Sequence, residues 1–380
     1  MNAFITSISA LLPGNPVSND DLDDYLGKVQ KISAKTRRII LANNGIKTRH
    51  YALDPKTGKA TYTNARITAE AVRHLGIDEA AIECLCCGTS TPDQLIPGHG
   101  SMVHGELNGA TCEVVTTAGV CLTSLTALKY GAMSVALALT ENAVATGSDI
   151  ASSYLRDGFF QAMSGKQGEQ KQERAHAAFS FEAEFLRWML SDGAGAVLIE
   201  KNPAASGLSL QIDWIENTSH AHQLDACMYA GAVKEEDGSL IGWRECVLNN
   251  GLDKQGILTI KQDARLLNRE IIPVILEKSL PLVIEKHKLK PDEIDWFLPH
   301  ISSEYFREPL MSKLQEISFP ISQDRWFTNL ATKGNTGAAS FYIMLEELFS
   351  SGRLVKGDRI LAMVPESGRF SVGWIYLVVV

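Results

Sequence analysis

Three residues whose types suit acyl-transfer chemistry stand at predicted element boundaries of this 380-residue sequence. Cys121 follows a turn of small residues and begins an apolar stretch typical of a buried helix. A helix N-terminus favours the thiolate form, and its free backbone N–H groups can hold an acyl oxyanion. His300 ends the apolar segment DWFLPH, at the strand edge where sheet enzymes place catalytic groups. Cys121 and His300 are therefore a candidate nucleophile and a candidate acid, base or hydrogen-bond donor.

Asn335 is the third candidate, in the turn KGNTGAAS between Gly334 and Gly337. Each of the three also has a structural interpretation when taken singly. Cys121 could be an inert buried thiol, His300 a capping residue, and Asn335 a turn or N-cap residue. Only the organisation of the chain can decide between these interpretations.

Strand-like and helix-like segments alternate along the chain, which predicts an α/β architecture with buried strands. In the first half, the predicted strands are 81–86, 111–117, 141–147 and 195–201, with a buried helix at 122–139. In the second half, the predicted elements are a strand at 295–300, a helix at 337–352, and strands at 359–365 and 372–380. The order of elements is the same in both halves.

Two landmarks give this repetition a fixed offset. The acidic pair at Asp78 corresponds to the pair at Asp292, an offset of 214 residues (292 − 78). Cys121 corresponds to Asn335 with the same offset (335 − 121). We therefore predict an internal duplication that brings Cys121 and Asn335 to a shared centre, with His300 beside them.

The predicted halves are 1–201, which carries the cysteine, and 202–380, which carries the histidine and asparagine. The first half has an inserted segment at about 151–190, which we interpret as a lid or a subunit-contact segment. No Pro/Gly/Ser-rich linker separates the halves, so they are expected to pack as one unit.

Composition excludes several classes of function. The net charge is −8 without a long basic run, which argues against nucleic acid or membrane surfaces as partners. No apolar stretch is long enough to span a bilayer, and the N-terminus does not resemble a secretory signal. Seven cysteines in apolar settings suit reduced thiols, so we expect a cytoplasmic location.

The cysteines and histidines admit two other assignments. Cys84, Cys87, His99 and His104 imitate zinc-finger spacing, but prolines and glycines occupy the stretch where a finger needs its helix. No metal site and no cofactor is predicted. The order Cys, His, Asn also occurs in papain-like proteases, although the spacing and the duplicated α/β pattern here differ from theirs.

With these motifs in place, the sequence resembles the ketoacyl-acyl-carrier-protein synthase III family of the thiolase superfamily over nearly its whole length. Nine segments match the family's motifs in order: PVSNDDLDDYLG (16–27), NGIKTRHYA (44–52), TSTPDQLIP (89–97), VCLTSLTAL at Cys121, ATGSD (145–149), SDGAGAVL (191–198), PHISS at His300, KGNTGAAS at Asn335, and SGRFSVGW (367–374).

The resemblance implies a thiolase fold, a duplicated five-layer αβαβα architecture, and a homodimer or a heterodimer with a related chain. It implies that Cys121 takes an acyl group from a thioester of coenzyme A or acyl carrier protein. His300 and Asn335 would hold the carbonyl oxygen of a second thioester while its α-carbon becomes nucleophilic. The oxyanion hole would use the backbone N–H of Cys121 and one from the Gly368–Arg369 turn.

Binding of the carrier or of coenzyme A is expected at basic residues. The densest basic segment runs from Lys35 to His50 and contains Arg37 and Arg38; a solvated helix face followed by a turn is the alternative interpretation. Near His300, the family's basic residue is replaced by Tyr305, with Arg307 close by in sequence. Arg37, Arg38 and Arg307 are therefore the predicted contacts.

Departures from the family pattern point to a specialised branch. The nucleophile segment reads AGVCLTS where the family usually has AACAGF, and the C-terminal turn carries Glu366, Ser367 and Arg369. With NGIKTRHY and PHISSEYF, these features are similar to the ketosynthase branch of dialkylresorcinol biosynthesis. That branch joins a β-ketoacyl thioester to an unsaturated acyl thioester on the way to a cyclohexanedione.

Three other functions stay open at the level of sequence. The chain could be a fatty-acid-initiating synthase that uses acyl-CoA and malonyl-carrier protein. It could be a non-catalytic thiolase-fold partner, although its complete Cys-His-Asn set argues against this. It could also transfer an acyl group to an alcohol or an amine, without forming a carbon–carbon bond.

Overall fold

The architecture comes from a computed structural model that describes residues 2–29, 33–161, 183–250 and 256–380. The strands, in chain order, are Phe4–Leu11 (β1), Val17–Ser18 (β2), Thr48–Arg49 (β3), Cys84–Thr89 (β4), Glu113–Ala118 (β5), Asn142–Asp149 (β6), Gly193–Glu200 (β7), Leu210–Ser219 (β8), Met228–Tyr229 (β9), Ala232–Lys234 (β10), Leu240–Gly242 (β11), Lys261–Gln262 (β12), Trp296–Pro299 (β13), Arg359–Glu366 (β14) and Ser371–Val379 (β15).

The α-helices are Leu22–Leu26 (α1), Ala34–Asn44 (α2), Asn64–Arg73 (α3), His99–Glu106 (α4), Thr123–Ala136 (α5), Asp157–Gln161 (α6), Trp243–Asn250 (α7), Ala264–Pro273 (α8), Leu280–His287 (α9), Arg307–Glu316 (α10), Leu330–Lys333 (α11) and Ser340–Ser350 (α12). A π-helical segment, Val274–Ser279, joins α8 to α9 around Pro273, which removes a backbone donor from the helix.

The large sheet shows the duplication in its strand order. That order is β13-β14-β15-β8-β1-β7-β6-β4-β5, so the sequence β4-β6-β7-β1 on one side mirrors β13-β14-β15-β8 on the other. The two sides meet through only two residue pairs between β1 and β8, Phe4 with Gln211 and Ile5 with Leu210. The edge strand β5 of the first side has no full counterpart on the second side. In the place of such a strand, next to β13, a parallel bridge joins Phe297 to Trp326. The predicted repeat of elements is confirmed; the boundary between the halves at 201 and 202 stays a prediction.

The core explains why α5 and α12 are apolar on most of their surface. Both helices lie between the two half-sheets and share one buried cluster with the facing side of each, including Leu125, Leu128, Phe341 and Leu345. The outer face of the first half-sheet is covered by α3 and α4, and the outer face of the second by α8, α9 and α10. Five alternating layers result, as the resemblance implied.

Most predicted elements lie within three residues of the observed ones. The strand predicted at 81–86 begins later, at Cys84, because Glu79–Ala81 form a 3₁₀ turn. The inserted segment predicted at 151–190 is only partly visible, since 162–182 lies outside the described residues; this includes its polar stretch GKQGEQKQER. The described flanks form a 3₁₀ turn at Ala151–Tyr154, helix α6, and a 3₁₀ turn at Phe185–Trp188.

In the described part of the chain, no helix has the length and apolar content required to cross a bilayer. The zinc interpretation has no geometric basis. Cys84 and Cys87 face opposite sides of β4 and belong to different buried clusters. His99 bonds Ser148, and His104 faces the Ala110 carbonyl.

Candidate active site

Cys121, His300 and Asn335 line one cavity of about 860 Å³ between the two halves. Most of its lining is apolar, and side chains come from both halves of the chain. The three predicted residues are buried, with between 4% and 9% of each residue exposed. The structure therefore brings together all three candidates that the sequence singled out.

Cys121 lies between the end of β5 and the first turn of α5. Two glycines of the neighbouring strands let that turn approach closely. A β-carbon at Gly88 would lie 2.7 Å from Ser124 Cα, and one at Gly147 would lie 2.6 Å from Ser124 Cβ. The same β-carbon at Gly147 would lie 2.3 Å from the Ala338 carbonyl oxygen, just before α12. The starts of α5 and α12 thus converge on Gly147, which explains how Cys121 and Asn335 reach one cavity.

The thiol of Cys121 is not activated by its surroundings in the way the helix start alone would suggest. Burial raises the pKa of this thiol, and the charges of Asp149 and Glu366 raise it further. A thiolate at Cys121 would therefore lie near two carboxylates whose negative charges disfavour it.

His300 follows β13, and its backbone N–H donates to the Met363 carbonyl of β14 at 2.8 Å. Burial lowers the pKa of its imidazole to about 4, so the ring is neutral at physiological pH. Within the described residues, no side chain or carbonyl bonds the ring, which lines the cavity. A neutral imidazole can donate one hydrogen bond to a substrate carbonyl, and it is a weak base.

The orientation of the Asn335 side chain is fixed by its own turn. Its Oδ1 accepts the N–H of Gly337 at 3.0 Å, so the Nδ2 amide hydrogens point elsewhere. The backbone is held on both sides, since Asn335 N–H donates to Met189 and its carbonyl accepts from Ser191 at 2.8 Å. Asn335 can therefore present N–H donors to a ligand in the cavity.

The predicted oxyanion turn connects β14 to β15. The carbonyls of Ser367 and Gly368 accept the N–H groups of Met228 and Cys227 at 2.9 and 2.8 Å. N–H and C=O point in opposite directions across a trans peptide. The N–H groups of Gly368 and Arg369 therefore face away from Cys227 and Met228. Gly368 packs against the residue before Cys121, since a β-carbon on it would lie 3.0 Å from Val120 Cγ2.

The predicted carrier contacts lie outside the cavity lining. Arg37 pairs with Asp23 at 2.9 Å, and Arg38 is exposed on α2. The guanidinium of Arg307 pairs with Glu304 at 2.6 Å and lies over the Trp326 ring. The side chain of Arg369 donates to the Leu224 carbonyl at 2.8 Å. A role for Arg37, Arg38 or Arg307 in carrier binding stays a prediction.

Several cavity residues do not belong to any motif from which a site was predicted. Leu186, Met189 and Leu190 come from the end of the inserted segment, while Met228 and Gln262 come from the small β9–β12 sheet. Their place in the cavity depends on long-range packing rather than on a local motif.

Asp149 was visible only as the last residue of the ATGSD motif. It lies at the end of β6 and lines the cavity, and its carboxylate accepts from Ser90, from Thr91 and from the N–H of Ala338 at 2.7 Å. It ties the end of a first-half strand to the start of α12 in the second half.

Comparisons with known proteins show which enzymes this chain is similar to. Residues 284–376 match the family described as 3-oxoacyl-[acyl-carrier-protein (ACP)] synthase III C terminal. The chain is 23% identical over 382 residues to β-ketoacyl-[acyl-carrier-protein] synthase III of Chlorobaculum tepidum, covering 99% of both chains. It is 25% identical over 364 residues to the enzyme of that name from Aquifex aeolicus, covering 95% of this chain and 94% of the other.

Two solved structures share the fold. The tetronic acid condensing enzyme AbyA1 aligns with a TM-score of 0.71 at 19% identity and covers 99% of both chains. OleA of Xanthomonas campestris aligns with a TM-score of 0.74 at 19% identity, over 100% of this chain and 98% of the other. The chain is an acyltransferase-type condensing enzyme with the thiolase fold, and its residues 284–376 match the C-terminal model of the synthase III family.

Proposed function

We propose that this protein joins two acyl thioesters by a Claisen condensation through an acyl intermediate on Cys121. The observation that carries the proposal is the meeting of Cys121, His300 and Asn335 in one largely apolar cavity. A thiol can hold the first acyl group, and two neutral N–H donors can hold the carbonyl oxygen of the second thioester.

The first half-reaction transfers an acyl group to sulfur. The Cys121 sulfur attacks the thioester carbonyl, its proton leaves, and the carrier thiol departs from the tetrahedral intermediate. The developing oxyanion would be met by the N–H of Cys121 and an N–H of the Gly368–Arg369 turn. These two groups come from different halves of the chain.

The second half-reaction forms the carbon–carbon bond. His300 and Asn335 would donate to the carbonyl oxygen of the second thioester, which stabilises the enolate formed when its α-carbon loses a proton or carbon dioxide. That carbon attacks the acyl group on Cys121, and collapse of the intermediate releases the thiolate and the lengthened thioester. Neither step requires a cofactor.

The weak basicity of His300 favours an α-carbon that is already acidic. With its pKa at about 4, the imidazole is a poor base for an ordinary acyl thioester. A β-ketoacyl thioester has an α-carbon flanked by two carbonyls and loses its proton much more easily. This supports a β-ketoacyl donor joined to an unsaturated acyl group, in secondary metabolism leading to a cyclohexanedione and a dialkylresorcinol. The carriers would be coenzyme A or acyl carrier protein, and the assembly a homodimer or a heterodimer with a related chain.

The experiment has two stages. Incubation with acyl thioesters should add an acyl mass to the peptide that contains Cys121, and Cys121→Ala should abolish both the adduct and the product. Addition of a β-ketoacyl thioester to the acylated enzyme should then give a longer thioester without release of carbon dioxide.

Other products identify the alternatives. Condensation only with a malonyl thioester, with carbon dioxide released, would indicate the fatty-acid-initiating reaction instead. An acyl ester or amide without a new carbon–carbon bond would indicate transfer to an alcohol or an amine. If the wild-type protein never acylates, the proposed function is wrong and a non-catalytic partner role takes its place.

A further inference from the structure

Glu366, at the end of β14, has its carboxylate against the turn that connects β5 to α5 and contains Cys121. Its Oε2 accepts the N–H of Val120 at 3.1 Å. The nearby N–H of Leu122 partly offsets the rise that burial causes in the pKa of this carboxyl. A β-carbon at Gly119 would lie 3.2 Å from Oε2, and one at Gly368 would lie 3.2 Å from Oε1. The carboxylate is therefore wedged between the turn before Cys121 and the turn after β14.

The side chain of Glu366 lies outside the substrate cavity. Pro365 and Ser367 both line the cavity, and successive residues at this strand end point to alternate sides. Among the described residues, no lysine, arginine or histidine lies within ion-pair distance of Glu366. Any effect of Glu366 on the reaction must therefore act through the backbone and the charge at Cys121.

We propose that Glu366 is a positioning residue that fixes the amide before Cys121 and couples its own charge to that of the thiol. This inference rests on the proposed role of Cys121 as the nucleophile. By binding the N–H of Val120, the carboxylate holds the turn in which the N–H of Cys121 is available to an oxyanion. It also links the two peptide segments that would form the oxyanion hole.

The charges of Glu366 and Cys121 are coupled because both groups lie at the N-terminal end of α5. A helix N-terminus carries about half a positive charge, which Glu366 already uses. A thiolate at Cys121 would place a second negative charge there, so the ionised carboxylate raises the pKa of the thiol. Burial in turn raises the pKa of Glu366, since no cation compensates it. The site favours one negative charge at a time.

The test is the pH dependence of thiol reactivity. Glu366→Gln keeps the shape of the side chain and removes its charge, so the profile of Cys121 alkylation by iodoacetamide should move to lower pH. A shift of about one pH unit corresponds to a roughly tenfold faster alkylation at pH 7. Peptide mass mapping distinguishes Cys121 from the other six cysteines.

A matched control is Glu113→Gln, at the opposite end of β5 from the nucleophile, where the carboxylate bonds the Tyr130 hydroxyl. Its alkylation profile should equal that of the wild type. Glu366→Ala should show the same acid shift as Glu366→Gln and a further loss of condensation turnover, because the acceptor of the Val120 N–H is gone. Thermal unfolding of each variant establishes that the profiles come from folded protein.

Each outcome decides a different question. If the profiles of Glu366→Gln and wild type coincide, the coupling does not exist and the inference is wrong. If the profile shifts but neither protein is acylated by thioesters, the inference stands and the proposed function fails. If both proteins are acylated without a shift, the function stands and the inference fails.

Discussion

The starts of α5 and α12 are each bound by a carboxylate from the end of a strand in the other half of the chain. Asp149, at the end of β6, accepts the N–H of Ala338 at 2.7 Å. Glu366, at the end of β14, accepts the N–H of Val120 at 3.1 Å. The duplication has therefore placed a crossed pair of acidic residues around Cys121 and Asn335.

The two carboxylates differ in how fully they are hydrogen-bonded. Asp149 also accepts from the side chains of Thr89, Ser90 and Thr91 and from backbone N–H groups of the same loop. Among the described residues, Glu366 accepts a hydrogen bond only from the backbone N–H of Val120. We call the turn before α5 the Cys121 corner and the turn before α12 the Asn335 corner. A fully hydrogen-bonded carboxylate stabilises the turn it binds, whereas the charge of a sparsely bonded carboxylate can still interact with a neighbouring group. The Asn335 corner is thus built for a fixed geometry and the Cys121 corner for a change of charge.

The largest expected effect separates the chemical roles of the two corners. Asn335→Ala should leave acylation of Cys121 intact and lower condensation by on the order of 10²–10³-fold, because one donor to the second thioester is lost. Mass spectrometry of the intact protein and product formation measure the two steps. Equal loss of the adduct and of the product would contradict a division of labour between the corners.

The next effect tests how tightly each corner is packed. Gly337 has φ 57°, and a β-carbon there would lie 2.1 Å from Asp149 Oδ2. Gly337→Ala should lower the free energy of unfolding by about 3 kcal/mol, from backbone strain and the loss of a hydrogen bond. In Gly119→Ala the β-carbon would meet the flexible end of the Glu366 side chain at 3.2 Å, so the loss should be about 1 kcal/mol, from backbone strain at φ 159° alone. Denaturant unfolding measures both, and equal losses would show that the corners are packed alike.

A third comparison removes the negative charge from each carboxylate. Asp149→Asn leaves the buried Ala338 N–H without an acceptor and should cost about 2 kcal/mol of unfolding free energy. Glu366→Gln keeps one acceptor for its backbone donor and should cost less than about 1 kcal/mol. Thermal unfolding of the two variants against the wild type measures the difference. A larger loss for Glu366→Gln would reverse the comparison.

The smallest effect concerns pH. The neutral imidazole of His300 is the form that donates to substrate, and with a pKa of about 4 its neutral fraction stays close to one above pH 5. Condensation by pre-acylated enzyme should therefore change less than about twofold between pH 5.5 and 7. Alkylation of Cys121 should rise nearly tenfold per pH unit over the same range, because its thiol pKa lies above it. Stopped-time assays at each pH measure both, and a fall in condensation near pH 6.5 would show an ordinary imidazole.

The sequence was sufficient to predict which residues meet, because the duplication supplies the geometry. An equal offset for Cys121 and Asn335 implies equivalent places in two related half-folds, and equivalent places near a pseudo-twofold axis lie close together. His300 could be added because it ends a predicted strand of the second half, at the sheet edge beside the Asn335 turn. All three line the cavity, while their catalytic roles remain a proposal.

What could not be predicted depends on contacts between the halves. No local pattern shows that Glu366 reaches Val120 across 246 residues, or that Met228 bonds the turn after β14. The ion pair between Arg307 and Glu304 is local, by contrast, since the two residues are three positions apart and such a pair can be predicted from the sequence. The role of Arg307 in carrier binding stays a prediction.

The crossed carboxylates make each half of the chain chemically incomplete. A fragment that stopped in the exposed connection between β7 and β8, at 201–209, would lack the acceptor for Val120 and would hold Asp149 without its partner on α12. The second fragment would hold Glu366 without Val120 and would lack Asp149, the acceptor for Ala338. The two repeats therefore relate to each other as the two different subunits of a heterodimer do, although they lie in one chain. Each repeat supplies a hydrogen-bond acceptor that the other lacks, so neither repeat alone would form a complete site.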